Sequence, residues 1–279
     1  MRFPVPVLPL LVFLAGYAAT AAQSAGPGVG WAGRWLERVA ATQAEQPHWM
    51  TPLVAVTPRL EQEFRCDVTH EATPSGNVTN VDNGKGLEVI PSRHTEMLIN
   101  LPPYLLHQNP GAMNGPGDAS FMMKYRFLAR NEEHGNGILT GFLSGSVPTG
   151  TYTNGSVSAT VTPTLAAGKG WGNFDVQSTL GGALPVDSVH TLGRTILSNT
   201  AFQYHPLAWL WPEAEINSAI WEGGTNDGKK QTFVMPGLIF GRFAIHHRIA
   251  LVAGAGFQTA VTHYHQYNHA FIATVRMPF

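Results

Sequence analysis

His269-Ala270-Phe271-Ile272-Ala273-Thr274-Val275-Arg276-Met277-Pro278-Phe279 closes the chain. Counting back by two from Phe279 gives Met277, Val275, Ala273 and Phe271, all apolar. Arg276, Thr274 and Ile272 lie between them. Successive side chains of a strand point to opposite faces, so this stretch reads as one strand with a greasy row and a mixed row. Such a strand, ending on an aromatic residue, looks like the signal by which bacterial outer-membrane barrels are recognised for insertion. Alone it fits an ordinary edge strand equally well, so the rest of the chain has to decide.

The same period of two recurs upstream. Arg59, Glu61, Glu63, Arg65 and Asp67 alternate with Leu60, Gln62, Phe64, Cys66 and Val68. Phe121, Met123, Tyr125 and Phe127 alternate with Met122, Lys124, Arg126 and Leu128. Phe174, Val176, Leu180 and Leu184 oppose Asp175, Gln177 and Thr179. Leu210, Ala214, Ile216 and Ile220 oppose Glu213, Glu215 and Asn217, and Phe257 and Val261 oppose Gln258. A β-sandwich alternates too, but its strands average about 5–6 residues. These segments run to about 10–14, the length a tilted membrane-spanning strand needs. In hydrocarbon every backbone N–H and C=O must be bonded, which strands achieve only in a closed sheet. The expected fold is therefore all-β: a closed antiparallel transmembrane β-barrel of about twelve strands with a short N-terminal helix.

Composition excludes several alternatives. The 279 residues are 44% hydrophobic but only 13% charged, against about a quarter charged in an ordinary soluble domain. Beyond the N-terminus no apolar run approaches the about 18 residues of a membrane helix. A single cysteine, Cys66, rules out a disulfide framework within the chain. A net charge of −1 argues against a nucleic-acid partner. Residues 1–22 read as a secretory signal peptide: Arg2 is the only charge, an apolar stretch follows, and Ala19-Thr20-Ala21 is a small-residue cleavage pattern. After cleavage, the expected location is the bacterial outer membrane. Residues 23–48 form a periplasmic segment whose helix spans Trp31–Gln46, and 49–279 form the barrel.

Twelve strands are expected near 50–68, 83–90, 94–104, 117–130, 137–148, 159–169, 173–185, 191–204, 209–221, 230–241, 247–262 and 268–279. The even number, usual for such barrels, depends on a turn at Pro91-Ser92-Arg93-His94. Short periplasmic turns then fall at 91–94, 131–136, 168–173, 205–208 and 241–246. The mostly longer external loops fall at 69–82, 105–116, 149–158, 186–190, 222–229 and 263–267. Trp49, Trp171, Trp209, Trp211, Trp221, Tyr264 and Tyr267 sit near strand ends, as an interfacial girdle would.

Thr57-Pro58-Arg59-Leu60-Glu61, Leu101-Pro102-Pro103-Tyr104, Ser146-Val147-Pro148-Thr149-Gly150, Gly168-Lys169-Gly170-Trp171-Gly172, Leu210-Trp211-Pro212-Glu213 and Pro236-Gly237-Leu238 occur in that order. In these stretches the chain resembles an outer-membrane transporter family named after the meta-pathway of phenol degradation. The resemblance runs from about Trp49 to Phe279. It implies a barrel that passes small molecules, hydrophobic or aromatic compounds among them, and it carries over no catalytic residues.

Other motifs read blandly. Gly223-Gly224-Thr225-Asn226-Asp227-Gly228-Lys229-Lys230 imitates a phosphate-binding loop. It has Lys230 where Ser or Thr belongs, and a strand follows instead of a helix. His263, His265 and His269 have metal-ligand spacing, but no carboxylate or cysteine accompanies them. His246-His247-Arg248 reads as the cap of a periplasmic turn. No nucleophile elbow is present, and no spacing joins Ser144, Ser146 and His107. No cofactor or metal is expected.

The polar faces carry the functional expectation. Arg59, Glu61, Glu63, Arg65, Lys124, Arg126, Glu213, Glu215 and Arg276 should all point into the lumen. They either orient passing solutes or pair with one another and fill the interior. The leading expectation is a passive channel for a small-molecule solute, with these charges as its lining. On that reading, Glu61→Gln with Glu63→Gln alters ion selectivity. The alternatives are a lipid-modifying enzyme, betrayed by a Ser or Asn within reach of a His at the lipid boundary, and a structural or partner-binding barrel. Expected partners are outer-membrane lipid and, through the strand ending at Phe279, the barrel-assembly machinery.

Overall fold

The computed structural model describes residues 30–279 except Gly84; the signal-peptide expectation lies outside the described residues. One helix, α1 (Trp31–Ala44), precedes fifteen strand segments. These are β1 (Glu63–Ala72), β2 (Val78–Asp82), β3 (Gly86–Ser92), β4 (Thr95–Asn100), β5 (Tyr104–His107), β6 (Gly115–Pro116), β7 (Ala119–Arg130) and β8 (Gly137–Val147). There follow β9 (Thr160–Trp171), β10 (Phe174–Pro185), β11 (Arg194–Tyr204), β12 (Leu210–Glu222), β13 (Lys230–His246), β14 (Ile249–Ala260) and β15 (His269–Pro278). All belong to one antiparallel sheet. It closes because β1 pairs with β15, from Glu63 opposite Pro278 to Ala72 opposite His269.

Fifteen segments make twelve strands because three neighbouring strands are each broken once. Both β2 and β3 pair with β1. Next to them, β5 pairs with β2 while β4 pairs with β3. Then β6 pairs with β5 while β7 pairs with β4. The breaks have local causes. Asp82 and Asn83 adopt φ of 77° and 49°, a left-handed backbone that Asp and Asn tolerate. Pro102 and Pro103 have no N–H for a ladder. The tight turn around Arg93 and His94, on which the even number rested, is present between β3 and β4.

Several boundaries differ from the sequence reading. The loops expected at 69–82 and 105–116 are shorter, because β1 runs to Ala72, β2 occupies Val78–Asp82, and β5 and β6 extend the broken strands into the second. The first strand begins at Glu63 rather than near residue 50. The turn expected at 168–173 shrinks to Gly172 and Asn173, because β9 continues to Trp171. Residues 241–246 are the end of the long β13, and the turn is His247-Arg248.

The greasy rows face outward. Phe121, Met123, Tyr125, Phe127, Leu180, Ile216, Phe257, Phe271 and Val275 are exposed, while Lys124, Arg126, Gln177, Glu215, Gln258 and Arg276 between them are buried. Leu128 is exposed instead of inward, since the ladder shifts register between Arg126 and Leu128. Among the described residues no second sheet or helix layer covers this surface, and no helix is long and apolar enough to cross a membrane. The aromatic girdle is only partly as expected. Trp171 and Trp209 are exposed, each stacked 6.4 Å from a phenyl ring, of Phe174 and Phe240 respectively. Trp49, Trp211 and Trp221 are buried instead.

One of the longer loops has a definite anchor. Asp118 accepts hydrogen bonds from Gly150 N–H at 2.9 Å, Ser156 N–H at 2.8 Å and the Ser156 hydroxyl at 2.6 Å. Partial burial opposes ionisation of Asp118, but these donors outweigh it and hold the carboxyl below its ordinary range. A depressed carboxyl favours the anchored loop above the ordinary pKa, and that preference disappears as pH falls through the lowered value. Asp118→Asn is therefore expected to speed amide exchange in residues 148–158 at neutral pH. The gap between variant and parent should narrow in acid.

Candidate functional site

The lumen is occupied by its own chain. Residues 46–62 leave α1, pass through the barrel interior without regular structure, and become β1. Nearly all of them are buried. Gln46 closes the ends of this plug on each other: its Nε2 donates to Leu60 O at 2.8 Å, and its Oε1 accepts Leu60 N–H at 2.9 Å.

Polar wall residues satisfy the backbone groups that irregular chain leaves bare. Glu213 Oε1 accepts Leu53 N–H at 3.1 Å. Glu215 accepts Val54 N–H at 2.8 Å on one oxygen and Ala55 N–H at 2.7 Å on the other. Arg276 donates to Thr51 O and Pro52 O, and Arg65 to Leu53 O. Gln177 donates to Met50 O at 2.9 Å and accepts the Thr57 hydroxyl at 2.7 Å. Lys124 reaches Arg59 O at 3.3 Å.

Apolar wall residues and glycines complete the fit. Trp49, Met50 and Leu53 of the plug cluster with Ile138, Trp211, Met235, Ile239, Val252 and Ile272 of the wall. A methyl group added at Gly237, Gly254 or Gly256 would stand 2.6, 2.9 and 2.9 Å from a Leu53 methyl carbon. At Gly168 and Gly170 it would stand 2.4 and 2.7 Å from the Trp49 indole. The wall thus has bare patches where Leu53 and Trp49 of the plug press against it.

All nine charged residues expected in the lumen are buried within the barrel. Arg59 pairs with Glu61 at 3.0 Å, and Arg65 with Asp67 at 2.7 Å. Lys124 pairs with Glu96 at 2.8 Å, and Glu61 also accepts the Thr51 hydroxyl at 3.0 Å. Arg126 holds the end of α1, donating to Thr42 O at 2.8 Å and Glu45 Oε2 at 2.9 Å. In this state most of them bind the plug or each other. Arg59 and Glu61 belong to the plug itself rather than to a first strand. Sequence reasoning missed Glu88, Glu96, Gln177 and Arg242, which complete the network.

α1 seals one mouth. Trp35 and Val39 pack with Leu60 and Ile90. Trp35 Nε1 donates to Ile90 O at 2.8 Å and Arg38 to Pro91 O at 2.7 Å. The chain then enters the barrel past Glu132, which accepts His48 N–H at 2.6 Å and contacts its ring at 2.9 Å. Partial burial opposes ionisation of Glu132, but these two contacts prevail and hold its carboxyl below the ordinary range. At the other mouth the loop after β14 turns inward. Tyr267 stacks on Phe233 at 4.4 Å and donates to Gln258 at 2.6 Å.

The chain folds like a solved outer-membrane channel. An outer-membrane channel from Pseudomonas putida F1 superposes with a TM-score of 0.57 at 14% identity, over 77% of this chain and 93% of that one. OmpT, an outer-membrane protein of Vibrio cholerae folded in vitro, gives a TM-score of only 0.37 at 10% identity, over 78% and 95% of the two chains, too low to support any argument. No protein-family model and no curated protein matches the chain.

The motifs set aside above keep their bland roles. His265 bonds within its loop, to Thr262 O at 3.0 Å and Asn268 at 2.9 Å. No group of three His, Cys, Asp or Glu among the described residues is arranged to hold a metal. Gly223–Lys230 is the connection from β12 into β13, fastened by Gly223 N–H donating to Asp227 at 2.7 Å. The Asn–His contact stipulated for an enzyme does occur, at 2.6 Å between His107 and Asn154. Asn154 also donates to Met113 O at 3.0 Å. In a catalytic set an amide would only orient the imidazole, and no hydroxyl or thiol among the described residues bonds the His107 ring, so the pair fastens two loops together. His70 lies 2.8 Å from the Thr79 hydroxyl on the neighbouring strand, with no third group among the described residues to orient it into a catalytic set.

Proposed function

We propose that this chain is an outer-membrane channel for small molecules, hydrophobic or aromatic compounds among them, held shut by residues 46–62. The observation that carries the reading is the pairing of a membrane-type barrel wall with a luminal plug fastened by hydrogen bonds and joined to a helix at the mouth. A plug tied by many separate, exchangeable hydrogen bonds can leave as a unit, whereas a core of interlocked side chains from the wall itself would be permanent. Transport would be passive and would require no cofactor. The seven of these charges that stand on the wall, Glu63, Arg65, Lys124, Arg126, Glu213, Glu215 and Arg276, would line the route once the plug is displaced, while Arg59 and Glu61 would leave with the plug. Outer-membrane lipid would surround the exposed apolar belt, and the assembly machinery would read the strand ending at Phe279.

The test is current through planar bilayers. The intact chain is expected to show brief, infrequent openings, and steady current once the plug is loosened. A folded barrel that stays silent in both forms would overturn the channel reading. Because Glu61 leaves with the plug, the lining test falls to the wall: Glu63→Gln should change the ratio of cation to anion permeability during openings. An unchanged reversal potential in a salt gradient would remove Glu63 from the lining.

A further inference from the structure

A cavity of about 220 Å³ opens between the plug and the wall at the mouth that α1 occupies. Arg59, Arg242, Arg248 and Arg276 line it, with Glu61 and Glu63. Only Arg59 among these guanidiniums has a carboxylate within salt-bridge distance among the described residues. Arg59 and Arg242 converge on one neutral acceptor, Trp49 O, the latter at 2.9 Å. Arg276 spends its donors on Thr51 O, Pro52 O and the Thr274 hydroxyl. Arg248 donates to Leu36 O. Arg59, 3% exposed, also has its Nε buried without any hydrogen-bond partner. Two guanidiniums sharing one carbonyl oxygen leave positive charge that an anion would neutralise.

We propose that this cavity is a binding site for a small organic monocarboxylate. The arginines select negative charge, and a planar carboxylate matches the guanidinium fork. Glu61 of the plug and Glu63 of the wall repel a second negative charge, which disfavours a dianion. Met50, Ala250 and Val252 supply an apolar surface for the remainder of the molecule. The volume lies below the about 300–1,000 Å³ of pockets for drug-sized ligands, so the occupant is small. A carboxylate is a stronger partner for guanidinium than a neutral carbonyl. Its arrival would therefore draw Arg59, Arg242 and Arg276 away from the carbonyls of Trp49, Thr51 and Pro52. This rests on the channel reading and extends it: the solute would loosen its own plug.

The experiment titrates benzoate into the purified full chain in detergent and follows heat of binding. Benzamide serves as the neutral isostere and inorganic phosphate as the competing anion. Saturable benzoate binding is expected, with none for benzamide. Arg242→Gln should weaken it by about tenfold, the loss of one charge-assisted pair. Arg276→Gln should do the same if it folds, and Arg242, at the rim, keeps the test decisive if it does not. Absence of saturable binding would overturn the site. So would equal binding of benzamide, phosphate binding as tight as benzoate, or undiminished affinity in Arg242→Gln. Because binding is read without a membrane, benzoate binding to a barrel that never conducts would uphold the site and sink the channel. Conduction without binding would do the reverse.

Discussion

Changing Glu213 and Glu215 together to alanine is expected to turn a barrel that opens briefly into one that conducts steadily. Between them these carboxyl groups accept the backbone N–H groups of Leu53, Val54 and Ala55. Leu53 and Ala55 are buried and Val54 is partly buried, beside the cluster that Leu53 makes with Met235, Ile239 and Val252 of the wall. A buried donor left without an acceptor costs about 1–3 kcal/mol. Three of them amount to several kcal/mol, and each ~1.4 kcal/mol is tenfold in an equilibrium. The open fraction should therefore rise about a hundredfold or more, because the barrel wall, closed by its own ladder, does not depend on these bonds. Glu215→Gln alone should fall between parent and double variant, since its amide keeps one acceptor oxygen but turns a donor toward the other N–H. Single-channel recording measures the open fraction directly. A double variant that folds, yet opens no more often than the parent, would show that residues 46–62 are a permanent part of the interior.

The wall was legible in the sequence because lipid is an unforgiving solvent. Each outward position must be apolar, so Phe121, Met123, Tyr125 and Phe127 leave a pattern that needs no partner to be read. The plug was not legible as such, because Arg59 to Gln62 continue the alternation of the strand that follows them. Two signals nevertheless distinguish this stretch. Pro47, Pro52 and Pro58 recur within residues 46–62, and proline cannot donate to a ladder. Gln62 would also have stood on the lipid face of an extended first strand, where a buried carboxamide finds no acceptor. The interior tryptophans were misplaced for a related reason. An aromatic near a strand end suits a membrane interface and a luminal cluster equally, and only strand parity separates Trp171, outside, from Trp211, inside. The quoted motifs make sense once the plug is seen. Thr57-Pro58-Arg59-Leu60-Glu61 is plug, Gly168 and Gly170 face Trp49, and Gly237 and Glu213 face Leu53.

Gly237→Val is expected to expel Leu53, and the smaller Leu53→Ala is expected to let the valine in. Leu53 sits among Gly237, Gly254 and Gly256, so a side chain growing from one glycine cannot be avoided by turning toward the others. Overpacking of a filled interior costs about 1–3 kcal/mol, here taken up by plug displacement, since Gly237 lies in β13 between two paired neighbours. Leu53→Ala alone removes a fully buried side chain and should cost the closed state about 2–5 kcal/mol. If the two residues touch as described, their effects are not additive: the valine refills the space that the leucine vacated. The double variant should then open less often than either single variant, with a coupling of about 0.5–3 kcal/mol. Open fractions of the four proteins in the same bilayer give this coupling without any assumption about the unfolded state. Strict additivity would place Leu53 away from the three glycines and leave the closed lumen without its central contact.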